Sequence, residues 1–181
     1  MAIWITSDWH FNHDKPFIYE TRGFKTIEEM NEAIIQRHNA LVQPGDDVYI
    51  LGDLALGGVG EHLDLIKQMN GWLHLVQGNH DTSKKWETYL SLPNVIEMGA
   101  AFYLKYKKYY FFLSHYPCFT SNFEDNKKPW QRVLSISGHT HSKNEWNEGM
   151  SFNVCMEAHN CFPVNIEDII LAFKREDYNN D

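Results

Sequence analysis

The chain has 181 residues, of which 43% are hydrophobic and 22% are charged. This length and composition suit one well-buried globular domain over residues 1–181, and they exclude a fibrous or disordered chain. The net charge of -8 argues against binding of extended duplex nucleic acid, which requires many positive side chains to neutralise phosphates.

The first half of the chain alternates between two hydrophobic periods. Short apolar runs predict buried strands at residues 3–7, 48–51 and 73–77. Helical spacing of apolar residues predicts helices over 26–42 and 59–69; Thr26 and Glu29 have the spacing of a capping box, and Asn70-Gly71 ends the second helix. This βαβαβ order predicts a parallel sheet with right-handed crossovers.

The second half is richer in aromatic residues. Strands are predicted at 101–106 and 109–114, joined as a hairpin by Lys107-Lys108, and again at 133–137 and 151–156. A final helix is predicted over 166–174, opened by Asn165. The longest segment without periodicity is 116–130, and loops of that length in compact domains are often functional.

The cysteines and the N-terminus bear on the cellular compartment. Cys118, Cys155 and Cys161 are an odd number without a CxxC pair, so we expect reduced, buried thiols rather than a disulfide framework. The N-terminus lacks the features of a signal peptide, and no stretch approaches the ~18 apolar residues of a membrane span. A cytoplasmic chain that does not use a membrane is expected.

Five of the predicted strands are each followed by histidine, aspartate or asparagine residues. In chain order these are Asp8 and His10, then Asp53, then Asn79 with His80 and Asp81, then His115, and finally His139 with His141. Strands of α/β sheets gather their sites at their carboxyl ends, so the five loops can converge on one point. Gly52, Gly78 and Gly138 in these loops allow sharp turns or a close approach of the backbone.

The residue types indicate what would be gathered there. Imidazoles, carboxylates and an amide oxygen, without a thiolate, suit Mn²⁺, Fe²⁺, Zn²⁺ or Ni²⁺. So many candidate ligands exceed the needs of one ion and suit two ions that share a bridging carboxylate. Asp8 and Asp53 would only partly offset the charge of two divalent ions, so the site would remain positive and favour a phosphate group.

The five segments, in this order, resemble the calcineurin-like metallophosphoesterase superfamily. Its pattern is Asp-x-His, Gly-Asp, Gly-Asn-His-(Asp/Glu), a lone His and Gly-His-x-His, and here the motifs span residues 8–141. A narrower resemblance, to a group of small bacterial and phage-type phosphoesterases, rests on Ser7-Asp8-Trp9-His10-Phe11-Asn12-His13, Arg22-Gly23-Phe24, Ser114-His115-Tyr116-Pro117 and Asn153-Val154. The implied fold is an α/β four-layer α/β/β/α sandwich with two mixed β-sheets.

The resemblance also implies a role for each residue. One ion would be held by Asp8, His10 and His141 and a second by Asn79, His115 and His139, with Asp53 as the bridge. The expected cofactors are two divalent ions, with Mn²⁺ first and Fe²⁺, Zn²⁺ or Ni²⁺ as the other choices. A metal-activated hydroxide would attack phosphorus. His80 would stabilise the transition state or protonate the leaving group, and Asp81 would orient His80.

Several of these residues have a second interpretation. Asp81 could instead cap the helix that follows Thr82-Ser83. His13 is a candidate for contact with the substrate phosphate or for a hydrogen bond to a metal ligand, and alternatively a local structural residue. Arg22 is a candidate phosphate clamp or one half of a surface ion pair. Three further histidines, His38, His62 and His74, lie in helical or strand patterns and are expected to be structural.

The 116–130 segment offers a possible substrate rim. Lys127-Lys128-Pro129-Trp130, with Phe119, Phe123 and Arg132, could form a basic and aromatic surface that stacks a base. The alternative is a solvated loop held in place by its aromatic residues. A rim of this kind would make nucleotides or single-stranded ends the substrates.

Three functions compete. The first is hydrolysis of phosphomonoesters or phosphodiesters of a small or nucleotide-like substrate. The second is a metal-dependent nuclease acting on nucleic-acid ends, and the third is a non-catalytic interaction module on the same fold, against which the intact motifs count. A Ser/Thr protein phosphatase is disfavoured, because that branch continues Gly-Asp as x-Val-Asp-Arg-Gly, whereas Leu54-Ala55-Leu56 follows here. The sequence leaves the oligomeric state open.

Overall fold

The structure is a computed structural model that describes residues 1–57, 60–120, 128–147 and 151–179. Its strands are β1 (Ile3–Thr6), β2 (Asp47–Ile50), β3 (Trp72–Val76), β4 (Val95–Gly99), β5 (Ala101–Tyr106), β6 (Tyr109–Ser114), β7 (Val133–Ser137), β8 (Trp146–Asn147), β9 (Ser151–Asn153) and β10 (Val164–Asn165). Its helices are α1 (Pro16–Tyr19), α2 (Ile27–Leu41), α3 (Glu61–Ile66), α4 (Ser83–Tyr89) and α5 (Ile166–Asn179), with a 3₁₀ turn at Pro129–Gln131.

The first sheet has the strand order β10-β1-β2-β3-β4. The pairs β1–β2, β2–β3 and β3–β4 are parallel, and β10 is antiparallel to β1. The parallel sheet predicted for the first half is therefore confirmed. Its consequence for the site is that β1, β2 and β3 all end at the same edge of the sheet.

The second sheet has the order β5-β6-β7-β9-β8. The predicted hairpin is confirmed, since β5 and β6 are antiparallel and Tyr106 pairs with Tyr109. Lys107 takes the left-handed conformation (φ 53°) that such a two-residue turn requires and that glycine or asparagine would adopt more readily. The pair β6–β7 is parallel, so these two strands also end at a common edge.

Two hydrophobic clusters hold these layers together. One contains Trp9, Met30 and Ile34 with strand residues such as Ile50, and it packs the helices on the first sheet. The other joins the facing sides of the two sheets, for example Leu51 and Ile136, and includes the apolar side of α5. The expected α/β fold with two mixed sheets is confirmed.

Some local predictions need correction. β4, α1 and α4 were not predicted, and the strand expected over 151–156 ends at Asn153. The expected first residue of the 59–69 helix lies outside the described residues, and α3 begins at Glu61. At the start of α2 the hydroxyl of Thr26 accepts from the Glu29 N–H as predicted, but the Glu29 carboxylate binds the N–H of Lys25.

The three cysteines are free, as expected, and Cys118 is half-buried rather than buried. Among the described residues, we find no helix that is both long enough and apolar enough to cross a membrane.

Candidate metal centre

The five predicted loops meet at one place. Nε2 of His10 lies 3.1 Å from Nε2 of His141, although 131 residues separate them in the chain. Nε2 of His115 lies 2.8 Å from Oδ1 of Asn79 and 3.1 Å from Nδ1 of His139. The structure thus forms two groups, which we call the first trio (Asp8, His10 and His141) and the second trio (Asn79, His115 and His139).

Asp8 supplies the negative charge of the first trio. Its Oδ1 lies 3.8 Å from Nε2 of His10 and 3.7 Å from Nε2 of His141 and, although buried, has no hydrogen-bond partner. Its Oδ2 accepts from the Ser7 hydroxyl and from the His139 N–H. Burial raises the pKa of Asp8, but the close approach of the His10 and His141 rings and their charges hold it well below its usual range.

Asp53 lies between the two trios. Its Oδ2 is 3.6 Å from Nε2 of His10 and 3.7 Å from Nε2 of His115. Its Oδ1 accepts from the backbone N–H of His80 at 2.8 Å, which fixes the orientation of the carboxylate. One oxygen of Asp53 therefore adjoins a histidine of each trio.

The donor set fits divalent cations in spacing as well as in chemistry. Atoms that bind one ion at ~2.1 Å and at right angles to each other lie about 3.0 Å apart. The closest ligand-type contacts within the trios, from 2.8 to 3.1 Å, have this spacing. The buried, unpartnered Oδ1 of Asp8 also fits, because an anionic oxygen without a donor is costly unless a cation binds it.

Neighbouring groups orient the imidazoles. Nδ1 of His115 lies 2.8 Å from the Leu51 carbonyl and Nδ1 of His141 lies 2.9 Å from the Glu157 carboxylate, so each of these nitrogens is the donor. The proton on Nδ1 leaves the lone pair of Nε2 directed at the centre, which is the form that binds a metal.

The backbone of the loops is strained. Five of the seven residues have φ between 50° and 70°, namely Asp8, His10, Asp53, His139 and His141. Each such non-glycine residue costs on the order of 1 kcal/mol. The loops also pack closely: a Cβ on Gly78 would lie 2.2 Å from Oδ1 of Asp53, and one on Gly138 would lie 1.9 Å from Oγ of Ser7. The expected close approach at these glycines is confirmed.

Arg22 does not act as a phosphate clamp, so that prediction is wrong. Its buried guanidinium pairs with Oε1 of Glu157 at 2.8 Å and donates to the carbonyls of Asp8 and Trp9. Since its donors point into the protein, Arg22 braces the loop after β1, which carries Asp8 and His10. The ion-pair alternative was correct in kind, but the pair is buried.

Glu157 is a site residue that sequence reasoning missed. Its Oε1 accepts from both Arg22 and Nδ1 of His141, which links the loop after β1 to the loop after β7. It follows no predicted strand and belongs to no recognised motif, so nothing in the sequence indicated this contact.

Asp81 also differs from the expectation that it orients His80. Its buried carboxylate accepts from the backbone N–H groups of Asp53, Leu54 and Gly78. The Tyr89 hydroxyl donates to the same carboxylate at 3.3 Å. These bonds hold the loop after β2 against the loop after β3, and among the described residues they leave the His80 ring without a bond to Asp81. The helix-capping alternative is not observed either, because α4 begins at Ser83 without a side-chain cap.

His80 and His13 lie at the mouth of the centre. The His80 side chain is 43% exposed, its Nε2 is 4.0 Å from Oδ2 of Asp53, and its ring centroid is 5.3 Å from that of His10. Nδ1 of His13 is 3.3 Å from Nδ1 of His10. Burial, followed by the charges of His10 and His80, lowers the pKa of His13 to about 4. His13 is therefore neutral near pH 7, and its ring lies between those of His10 and Phe17.

The described part of the predicted substrate rim does not lie beside the metal centre. The Trp130 ring packs under Nζ of Lys108, 4.2 Å from its centroid, in the hairpin turn at the start of β6, whereas the centre is at the end of β6. Pro129–Gln131 likewise precedes β7, so this part of the rim prediction is wrong. Lys127 and Phe123 lie outside the described residues. Among the described residues, two exposed aromatic side chains lie near the centre: Phe17, next to His13, and Tyr116, next to His115 and His139.

Two of the histidines that were expected to be structural, His38 and His74, form hydrogen bonds away from the metal centre. Nε2 of His38 lies 2.9 Å from the Asn70 carbonyl. His74 lies between Asp47 and Glu97, at 3.0 and 2.7 Å. His62 is buried in α3.

Two comparisons with known proteins bear on the family of this chain. Residues 1–154 match the family model described as calcineurin-like phosphoesterase. An uncharacterized protein of Methanocaldococcus jannaschii is 32% identical over 185 residues, covering 96% of this chain and 92% of that protein.

The chain resembles solved structures to different degrees, and the first of the two that follow shares its fold. A protein of unknown function from Aquifex aeolicus aligns with a TM-score of 0.72 and 23% identity, over 94% of this chain and 98% of that one. An archaeal phosphodiesterase aligns with a TM-score of 0.47 and 19% identity, over 84% of this chain and 82% of its own. Because the family model matches most of the chain, this protein belongs to the calcineurin-like phosphoesterase family, a family of metal-dependent phosphoesterases.

Proposed function

We propose that this protein is a dinuclear-metal phosphoesterase that hydrolyses phosphomonoester or phosphodiester bonds of a small or nucleotide-like substrate. The observation that carries the proposal is the position of Asp53, whose Oδ2 adjoins one histidine of each trio at 3.6 and 3.7 Å. A carboxylate oxygen in that position can be shared by two ions, each completed by the remaining ligands of one trio.

The proposed ligands also set the charge of the centre. When bound, two divalent ions would lower the pKa of a water molecule and offset the charge of the phosphate. Among the seven ligands only Asp8 and Asp53 carry negative charge, so the loaded centre would be net positive and attract an anionic ester. The nitrogen and oxygen ligands suit Mn²⁺, which we propose as the metal, and they would also accept Fe²⁺, Zn²⁺ or Ni²⁺.

His80 has the placement of a general acid. Its backbone is held at both ends of the residue, because its N–H donates to Asp53 and its carbonyl accepts from Nζ of Lys85 at 3.2 Å. Its ring is accessible and lies 4.0 Å from the proposed bridging oxygen. A proton held on this ring can pass to the leaving oxygen of an ester bound at the centre. His13, beside His80, is the proposed contact to the phosphate.

The metal requirement can be tested directly. Protein stripped of metal should not hydrolyse bis(p-nitrophenyl) phosphate or p-nitrophenyl phosphate, and it should recover activity with Mn²⁺ as two ions bind per chain. Equal turnover before and after chelation would refute the metal mechanism. Full activity with a single bound ion would refute the dinuclear centre.

Asp53→Asn tests the bridge, since the amide keeps the shape of the side chain and can still accept from His80 while it replaces the shared oxygen. Turnover should fall by about 100-fold or more, and one ion should be bound less tightly. Asp64→Asn is the matched control, because Asp64 is 77% exposed and pairs with Lys67 on α3. The control should keep both ions and full turnover.

A further inference from the structure

Two exposed aromatic rings border the candidate metal centre next to different trios. Phe17, in α1, is 66% exposed, and its ring lies 5.7 Å from the ring of His13, which in turn lies 5.1 Å from that of His10. Tyr116 is 52% exposed, and its ring lies 4.9 Å from His115 and 4.7 Å from His139. Tyr116 therefore contacts the second trio directly, whereas Phe17 is linked to the first trio through the ring of His13.

The exposure of these two rings beside polar side chains is typical of a ligand-binding site. Both residues leave more than half of their surface in water, next to histidines of the centre or beside it: His13 for Phe17, and His115 and His139 for Tyr116. Apolar surface combined with convergent polar groups is typical of a small-molecule site. A flat aromatic ring is suited to stack on a planar group such as a nucleobase. Such stacking accepts any of the bases, because each base has a flat face.

We propose that the substrate is a phosphodiester that carries an aromatic group, such as a nucleobase, on each side of the phosphate, with one group stacked on Phe17 and the other on Tyr116. This inference rests on the proposed function and narrows its substrate class. It also replaces the predicted 127–130 rim, since Trp130 packs at the other end of β6.

The location of His80 indicates which of the two aromatic groups of the substrate leaves. Its ring lies 5.3 Å from that of His10 and 6.1 Å from that of His13, on the side of Phe17.

In the proposed reaction, water gives its oxygen to phosphorus and loses a proton. The bond from phosphorus to the leaving oxygen breaks, that oxygen takes the proton of His80, and the proton released from water restores His80. The group stacked on Phe17 leaves as an alcohol, and the group stacked on Tyr116 stays on the phosphomonoester.

A pair of substrates with the same leaving group tests the Tyr116 contact. Bis(p-nitrophenyl) phosphate and methyl p-nitrophenyl phosphate differ only in the group that stays on phosphorus. The Mn²⁺-loaded protein should prefer the first by kcat/KM, and Tyr116→Ala should reduce that preference about tenfold, the usual effect of removing one stacking ring. Tyr116→Phe should keep the preference. Disturbance of the nearby ligands would slow both substrates alike, so the ratio isolates the stacking contact.

The Phe17 contact is tested by changing the leaving group. Phe17→Ala should lower kcat/KM about tenfold for methyl p-nitrophenyl phosphate and much less for methyl trifluoroethyl phosphate, whose leaving group has no ring. A dinucleoside monophosphate should depend on both rings. Tyr103→Ala is the matched control, because Tyr103 is 62% exposed in β5 and stacks on Tyr110 rather than on a histidine of the centre.

The possible failures are distinct. If the metal-loaded protein hydrolyses none of these esters, the proposed function is wrong and this inference falls with it. If it hydrolyses them but Tyr116→Ala and Phe17→Ala keep the wild-type substrate ratios, the phosphoesterase function stands and the aromatic substrate class is overturned.

Discussion

Replacement of Glu157 by alanine should damage both the stability of the protein and one of its two proposed ion sites. The stability effect follows from Arg22, whose buried guanidinium would lose its only carboxylate partner among the described residues. Removal of one partner from a buried ion pair costs about 3–5 kcal/mol, because the other charge stays in a medium that solvates it poorly. That is a large part of the ~5–15 kcal/mol by which a typical domain is stable. Urea unfolding of the metal-free parent and variant measures this loss in the free energy of unfolding.

The effect on the ions should be confined to the first trio. Without Glu157 the Nδ1 proton of His141 loses its acceptor at 2.9 Å, and the ring is free to rotate or to adopt the other tautomer. Loss of such a carboxylate partner typically weakens metal binding about 10- to 100-fold. A Mn²⁺ titration of the variant should therefore show one ion bound as in the parent and one bound more weakly.

Another carboxylate–histidine pair supplies the control. Glu97 accepts from Nδ1 of His74 at 2.7 Å, but it is half-exposed and lies in β4. Glu97→Ala should cost little stability and leave both ions bound. The double replacement Arg22→Met with Glu157→Met should recover much of the lost stability but not the ion affinity. Glu157→Ala protein that binds two ions as tightly as the parent would refute the proposed role of Glu157.

Three shorter predictions follow from other features. Gly138→Ala should destabilise the protein by several kcal/mol in urea unfolding and reduce ion binding, because the new Cβ would lie 1.9 Å from the Ser7 hydroxyl, whereas Gly45→Ala, with nothing within 4 Å, should be tolerated. His80→Ala should lower kcat about 100- to 10,000-fold with the ion content of the parent, as measured by elemental analysis; loss of ions would contradict a role outside the ligand set. His38 should contribute to acid sensitivity, because burial lowers its pKa from 6.5 to about 4. Its stabilising effect is fully present above pH 6.5 and is lost as the pH falls toward 4, by up to about 3 kcal/mol. His38→Gln, in metal-free protein, should therefore lose less stability over that range than the parent; equal losses would show that His38 is not responsible.

The convergence of the candidate ligands could be predicted because it depends on local patterns. Each ligand follows a short apolar strand directly, and parallel strands end at a common edge, so strand order alone brings distant loops together. The close approach at Gly78 and Gly138 was also predictable from local pattern, because each glycine directly precedes a candidate ligand. The structure leaves no space for a larger side chain at either position.

The parts that failed depend on contacts between segments far apart in the chain. Arg22 binds Glu157, 135 residues away, and no local pattern distinguishes that pair from a surface arginine and glutamate. Trp130 was a candidate for the rim because its segment is basic and aromatic, but it packs against Lys108 at the other end of β6. β4 was missed because its side chains are half-exposed at the edge of the first sheet, where pairing with β3 rather than its own hydrophobicity makes it a strand.

The left-handed backbone at five of the candidate ligands lowers the stability of the folded protein. At about 1 kcal/mol each, Asp8, His10, Asp53, His139 and His141 together cost on the order of 5 kcal/mol. Glycine at any of them would relieve that strain but would also remove a candidate ligand, so stability and ion binding place opposite demands on these five positions.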